Sequence, residues 1–189
     1  MGLLEMAERK LTWKDVKAIL ADKDKSELLK LISDLYSLDK GNKIFIHTRY
    51  LNGEGIPEYY RTIISEALYP DVYKNGKIRF SVGKKAISDY YKATNDKMGQ
   101  LELMIHYVHM GTKFTAEYGD MDENFYTGLE SMFKRIIDEL LKRPGDSCNQ
   151  YIAELEDIVL LAGEIGWGYQ ITISNILENY QDIARRWNK

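Results

Sequence analysis

Glu102, His106 and His109 stand at i, i+4 and i+7 of a helical segment, so one carboxylate and two imidazoles share a narrow arc of that helix. Carboxylate plus imidazole is a ligand set for zinc or iron, which makes a metal-dependent enzyme one reading of the chain. The spacing is Glu-x-x-x-His-x-x-His, whereas di-iron bundles use Glu-x-x-His together with carboxylates from other helices. The competing readings are a solvated stripe with an i,i+4 Glu–His contact, or a polar site inside a bundle. His47, the remaining histidine, reads as a surface or boundary residue of another helix.

Other motifs fail their own chemistry. Asp120-Met-Asp-Glu-Asn124 has the alternating acids of a calcium loop, but Phe125 stands at its sixth position, where a glycine must turn, and Ser131 stands at its twelfth, where a bidentate glutamate is needed. The same residues make good helix punctuation, with Gly119 ending one helix in the left-handed region and Asp122 capping the next. Gly163-Glu-Ile-Gly-Trp-Gly168 is glycine-rich but lacks both the dinucleotide spacing and a preceding strand. Gly166 reads instead as a residue just past a helix end, and Trp167 as a plug in the corner. Cys148, the single cysteine, has no histidine or asparagine near it in sequence and reads as an inert thiol. No G-x-S-x-G, P-loop or H-E-x-x-H is present, so no catalytic residue and no cofactor is assigned.

Charge is unevenly spread. Residues 74–92 hold six bases against Asp89, interleaved with Tyr73, Phe80, Tyr90 and Tyr91, while residues 117–130 hold five acids and no base. Lys77, Arg79, Lys84 and Lys85 are therefore candidate contacts to phosphate or to a partner, and nucleic-acid binding through 74–92 is one functional alternative. The whole chain is at −3, which gives it no general attraction to polyanions or anionic membranes. Fourteen tyrosines, among them the adjacent pairs Tyr59-Tyr60 and Tyr90-Tyr91, suit an aromatic partner surface.

The elements that must position these groups follow from apolar spacing. With 189 residues, 44% of them apolar, the chain can bury a core. Helical period runs through almost all of it, predicting an all-α fold of eight to nine helices in stacked helical hairpins or an irregular bundle. Helices are expected from Thr12, over 25–37 with Asp24 and Glu27 as a capping box, after Gly41, from Pro57 to Pro70, from Ser81 to Thr94, from Asp96 to Tyr118, and over 123–142, 147–165 and 169–187. The long helix 96–118 carries two apolar arcs and is expected to be the most buried. Residues 69–80 break the rhythm, and Asn75-Gly76 allows either a short hairpin or an extended loop. One helical domain over 1–189 is expected, with 69–80 as the candidate boundary between 1–70 and 81–189.

Lys85–Lys92, Phe114–Tyr126 continuing through Leu129–Phe133, Gly166–Tyr169 and the opening Leu11–Lys17 resemble a family of uncharacterised bacterial proteins, a domain of unknown function. The resemblance implies an all-helical protein and no catalytic residue. The helix pair 12–37 is similar to a SAP-type DNA-binding module in the spacing of Leu11, Val16, Leu20, Leu28, Leu29 and Ile32, but its lysines are offset by Asp15, Asp22, Asp24 and Glu27.

The expected function is that of a non-enzymatic binding or scaffold protein acting through an aromatic-rich helical surface, with a protein partner or self-association. Acids at the N-terminus and the lack of a long apolar run argue for a soluble, cytoplasmic chain with no membrane partner.

Overall fold

The computed structural model describes residues 12–50, 56–143, 149–163 and 165–187. The readings of Met1–Leu11, Leu51, Pro144-Gly145, Cys148 and Glu164 lie outside the described residues. Among the described residues there are nine α-helices and no strand. They are α1 (Trp13–Ala21), α2 (Lys25–Leu38), α3 (Lys40–Tyr50), α4 (Ile56–Leu68), α5 (Phe80–Thr94), α6 (Lys97–Tyr118), α7 (Glu123–Leu141), α8 (Asn149–Ala162) and α9 (Tyr169–Trp187).

The chain divides into two compact units, Met1–His47 and Thr48–Lys189, so the 69–80 segment lies inside the second unit. In the first unit the expected caps are in place. The Asp15 carboxylate accepts from the backbone and hydroxyl of Thr12, and Asp24 and Glu27 exchange side-chain and backbone bonds at 2.8 and 3.1 Å. Tyr36 and the exposed His47 are joined by a 2.8 Å hydrogen bond.

The second unit is built around α6. Helices α6, α7, α9 and α8 pack on one another in a closed ring of four, and α4 and α5 pack together against α6. Half of the residues of α6 are buried, among them Leu101, Met104, Ile105 and Val108 from one apolar arc and Leu103, Tyr107 and Phe114 from the other. Gly111 lets α7 approach, because a Cβ there would stand 2.5 Å from a Leu129 methyl. Two buried hydroxyl bonds tie the ring, Thr112 with Tyr169 and Thr115 with Tyr126, each 2.7 Å. The Tyr107 hydroxyl is the one buried side-chain polar atom without a partner among the described residues.

The turn into α6 gives a direct test of local design. One Asp96 oxygen accepts from the Met98 and Gly99 amides, and the other from the Tyr90 hydroxyl at 2.7 Å. Burial alone would push the Asp96 carboxyl up, but the bonds from Tyr90, Gly99 and Met98 outweigh it and hold it below the usual value. Asp96→Ala is expected to cost about 2–3 kcal/mol in urea unfolding, because a cap is lost and the buried Tyr90 hydroxyl is orphaned. Asp96→Asn keeps one acceptor for the Met98 and Gly99 amides and sets an NH2 donor against the Tyr90 hydroxyl, which can accept from it, and should cost about 1 kcal/mol.

Three local expectations are decided or corrected. Residues 69–80 form a loop and not a hairpin: within it Val72–Lys74 make a 3-10 turn capped by the Asp71 side chain, and Asn75 closes it at φ 57°. Gly76 must be glycine there, since a Cβ would meet the Asp71 carbonyl at 2.7 Å. Second, α5 starts one residue before Ser81, and its N-cap is Arg79, whose amide bonds to the Ala67 carbonyl at 2.8 Å. Third, Gly163 rather than Gly166 takes the positive φ just past α8, and Trp167 is 62% exposed at φ 61°, so it plugs nothing.

Candidate functional site

The polar stripe of α6 enters the second unit at one end. Glu102 and His106 are half-buried, while His109, Lys113 and Glu117 progressively reach the surface. A cleft of about 210 Å³ opens beside this end, lined by Arg61 of α4, Ile105, His106 and His109 of α6, and Glu154, Asp157 and Ile158 of α8. The i,i+4 spacing of Arg61 and Ser65 and the i,i+3 spacing of Glu154 and Asp157 set each pair on one face of its helix, and α4 and α8 both pack on α6.

Each group of the stripe has a different partner. The His106 Nε2 lies 2.9 Å from the Ser65 hydroxyl, and the ring also bonds to the Arg61 backbone. Glu102 accepts from the Tyr151 hydroxyl at 3.3 Å and lies 3.6 Å from the Arg61 guanidinium. Among the described residues no group of three or more His, Cys, Asp or Glu side chains is placed to hold a metal ion, so Glu102, His106 and His109 do not converge on one point. The polar site inside a bundle describes Glu102 and His106, and the solvated stripe describes the residues beyond them.

Electrostatics keeps the imidazoles neutral. Burial and then the Arg61 charge push His106 down to about 4, against an opposing backbone bond. Burial and Lys113 lower His109, with Asp157 pulling the other way. Glu154 is pushed up by burial and by the Glu102 and Asp157 carboxylates, despite Arg61. Ser65 with His106 resembles a nucleophile and its base, but Ser65 sits inside α4, where backbone amides serve the helix ladder and leave no donors for an oxyanion.

The residues of the basic segment have different neighbours. Arg79 caps α5 and reaches the Glu66 carbonyl at 3.4 Å, and Lys85 pairs with Asp89 on the next turn. Lys84 is exposed on α5, and Lys77 borders a second, aromatic cleft of about 460 Å³ whose walls include Phe80, Phe114 and Phe125. In the acidic segment, Asp122 caps α7 at the Phe125 amide, and Asp120 accepts from the Tyr126 hydroxyl at 2.7 Å and the Gly166 amide at 3.0 Å. These are structural tasks.

Of the tyrosine pairs, Tyr60 and Tyr90 are buried and meet edge to face at 5.4 Å, while Tyr59 and Tyr91 are half-buried. Exposed apolar side chains are found in both units: Trp13, Val16 and Ile19 of α1 and Leu29, Leu31, Ile32, Leu35 and Leu38 of α2 in the first, and Tyr73, Leu160, Trp167 and Ile171 among others in the second. No described residue of Met1–His47 is buried.

Arg61, Ser65, Glu154 and Asp157 escape a sequence reading centred on α6. The available signal was their polar pairing at helical spacing beside the apolar stripes of α4 and α8. No protein-family model, no curated protein and no solved structure matches the chain.

Proposed function

We propose that the protein acts by binding protein rather than by catalysis, and that the α1–α2 pair is its docking surface, with a second copy of the chain as the occupant. The observation that carries this reading is the bare apolar face of Met1–His47. On α2, Leu31, Leu35, Ile32 and Leu29 fall within one half of the helix circumference, and Trp13, Val16 and Ile19 share one third of α1. A unit this small, with Leu20, Leu28, Tyr36, Ile44 and Ile46 only half-buried and none of its described residues fully so, gains stability if its bare apolar face is covered.

Two features favour a second copy. The exposed side chains offer on the order of 800 Å² of apolar area, about what each partner gives to a standard interface. Residues 13–38 carry five lysines and five acids, so two identical faces meet without like-charge repulsion. The same balance counts against DNA, and duplex DNA is expected to bind the whole chain more weakly than about 1 μM at about 150 mM salt.

Sedimentation equilibrium at tens of micromolar should give twice the chain mass for the wild type and a single chain mass for Leu29→Glu/Ile32→Glu. Both sites are exposed on α2, so helix content should be unchanged by circular dichroism. A wild type that stays monomeric would sink the proposal.

A further inference from the structure

We infer that the outer face of the α8–α9 pair docks a cationic amphipathic helix of a partner protein, with Leu160, Trp167 and Ile171 as its apolar anchors. The inference does not depend on the self-association proposed for α1–α2.

Apolar exposure comes first. Leu160 is 77% exposed, Trp167 62% and Ile171 63%. Leu160 points away from Leu155 and Ile158, which α8 buries, and Ile171 away from Ile173 and Leu177, which α9 buries. Across the seam between the two helices the Gln181 amide donates to Glu156 at 2.8 Å. Leu160 lies one turn beyond Glu156, and Ile171 two turns before Glu178, so both stand on the outer side of the pair. Trp167 lies in the turn that joins the helices, held at φ 61° with its indole outward. A tryptophan set between two aliphatic side chains is the composition of an interface anchor.

Charge then selects the partner. Between Arg143 and Arg185 the chain holds seven acids and no lysine, arginine or histidine. Five of these acids are exposed on α8 and α9. Arg61 stands beside Glu154 and Asp157, and Asp182 pairs with Arg185 at 3.0 Å. Glu156 and Glu178, on the same side as Leu160 and Ile171, accept only from the uncharged Gln181 and Ser174 among the described residues. Nucleic acid and anionic membrane are therefore repelled. A second copy laid face to face would set acids against acids, unlike the balanced charges of α1–α2. A cationic partner meets the acids with its bases while its apolar stripe covers the three anchors.

Shape selects a helix. No strand is present among the described residues, so the chain offers no sheet edge there, whereas two packed helices leave a groove that receives the ridge of a third. With 19 residues, α9 runs for about 28 Å along that groove.

The test is calorimetric titration of the full chain with a synthetic helical peptide of about 18 residues, leucine on one face and lysine on the other, in about 150 mM NaCl. A one-to-one complex with Kd tighter than about 100 μM is expected. It should weaken about tenfold or more in Leu160→Ser/Ile171→Ser and in Glu156→Gln/Glu178→Gln, and stay unchanged in Tyr73→Ser, a 90% exposed aromatic of the same unit. All five sites are exposed, so helix content should be unchanged by circular dichroism. Tryptophan emission should move to shorter wavelength on binding, and Trp167→Phe should lose that shift. Leu29→Glu/Ile32→Glu should bind the peptide as the wild type does, which separates this face from α1–α2. The inference is overturned if no complex forms, if a peptide with glutamate in place of lysine binds equally well, if Leu160→Ser/Ile171→Ser binds like the wild type, or if binding is lost in Leu29→Glu/Ile32→Glu. It is also overturned if the chain self-associates and Leu160→Ser/Ile171→Ser abolishes that, since the occupant is then a second copy.

Discussion

Phe133→Ala is expected to lower the unfolding free energy of the Thr48–Lys189 unit by about 3–5 kcal/mol, the largest loss from any single substitution considered for this protein. Phe133 is fully buried on α7, which packs on both α6 and α9. Truncation removes a ring's transfer energy and leaves a cavity lined by elements already fixed by other contacts, so the site cannot collapse. Since small domains are stable by only about 5–15 kcal/mol, the alanine variant sits near its folding limit, and Phe133→Leu at about 1–2 kcal/mol keeps the comparison measurable. Leu160→Ala is the contrast: the residue is 77% exposed on α8 of the same unit, and its loss should cost less than about 1 kcal/mol. Urea unfolding followed by circular dichroism reads all three. Equal costs at Phe133 and Leu160 would mean that the α6–α7–α9 contact is not the core of that unit.

That contrast follows the limits of sequence reading. Caps are written within three or four residues, so Asp24 with Glu27, Asp96 and Asp122 were legible, as were the helices they start. The burial of α6 was legible because two apolar arcs on one helix need neighbours on both sides. Where the chemistry depends on which helices meet, the sequence was silent. Nothing in the spacing of Glu102, His106 and His109 says that α4 brings Arg61 and Ser65 to one side and α8 brings Glu154 and Asp157 to the other.

Tyrosines show the same limit. One ring of each adjacent pair is buried, Tyr60 and Tyr90, while Tyr59 and Tyr91 are half-buried, and Tyr59, Tyr60 and Tyr90 form an edge-to-face row. A tyrosine hydroxyl that finds an acceptor, as Tyr90 does at Asp96, can be buried at little cost, so counting tyrosines does not count surface. Trp167 was expected in a corner because tryptophan is apolar. The chain reverses there through Trp167 and Gly168, both at positive φ, and that backbone turns the indole outward.

His106 should make the protein less stable as pH falls from about 6.5 towards 4, by about 1–2 kcal/mol in total. The ring takes a proton near 6.5 in the unfolded chain but only at about 4 when folded, because burial and then Arg61 oppose its charge. Between those values the unfolded state binds more protons, so unfolding becomes easier with each step down in pH. The contribution is whole above 6.5 and lost progressively below it. The full shift would correspond to about 3 kcal/mol, and solvent reaching the half-buried ring reduces that to the smaller figure. The groups around it act in both directions. His109 is also lowered and adds to the loss, while the raised carboxyls of Glu154 and Glu130 contribute the opposite way, gaining stability as pH falls through their folded values. Asp96 and Glu139 are held low and lose stability only further down, below the ordinary carboxylate range. Urea midpoints at pH 7.5, 6.5 and 5.5 lie above the lowered carboxyls, and comparison with a His106 variant, which shares the raised ones, isolates the imidazole. His106→Gln can keep a hydrogen bond to Ser65 without a titrating proton, and whatever its stability at pH 7.5, its slope against pH over this range should be visibly flatter than the wild type's. An unchanged slope, or an NMR titration of the folded His106 ring centred near 6.5, would show that the cleft does not hold this imidazole neutral.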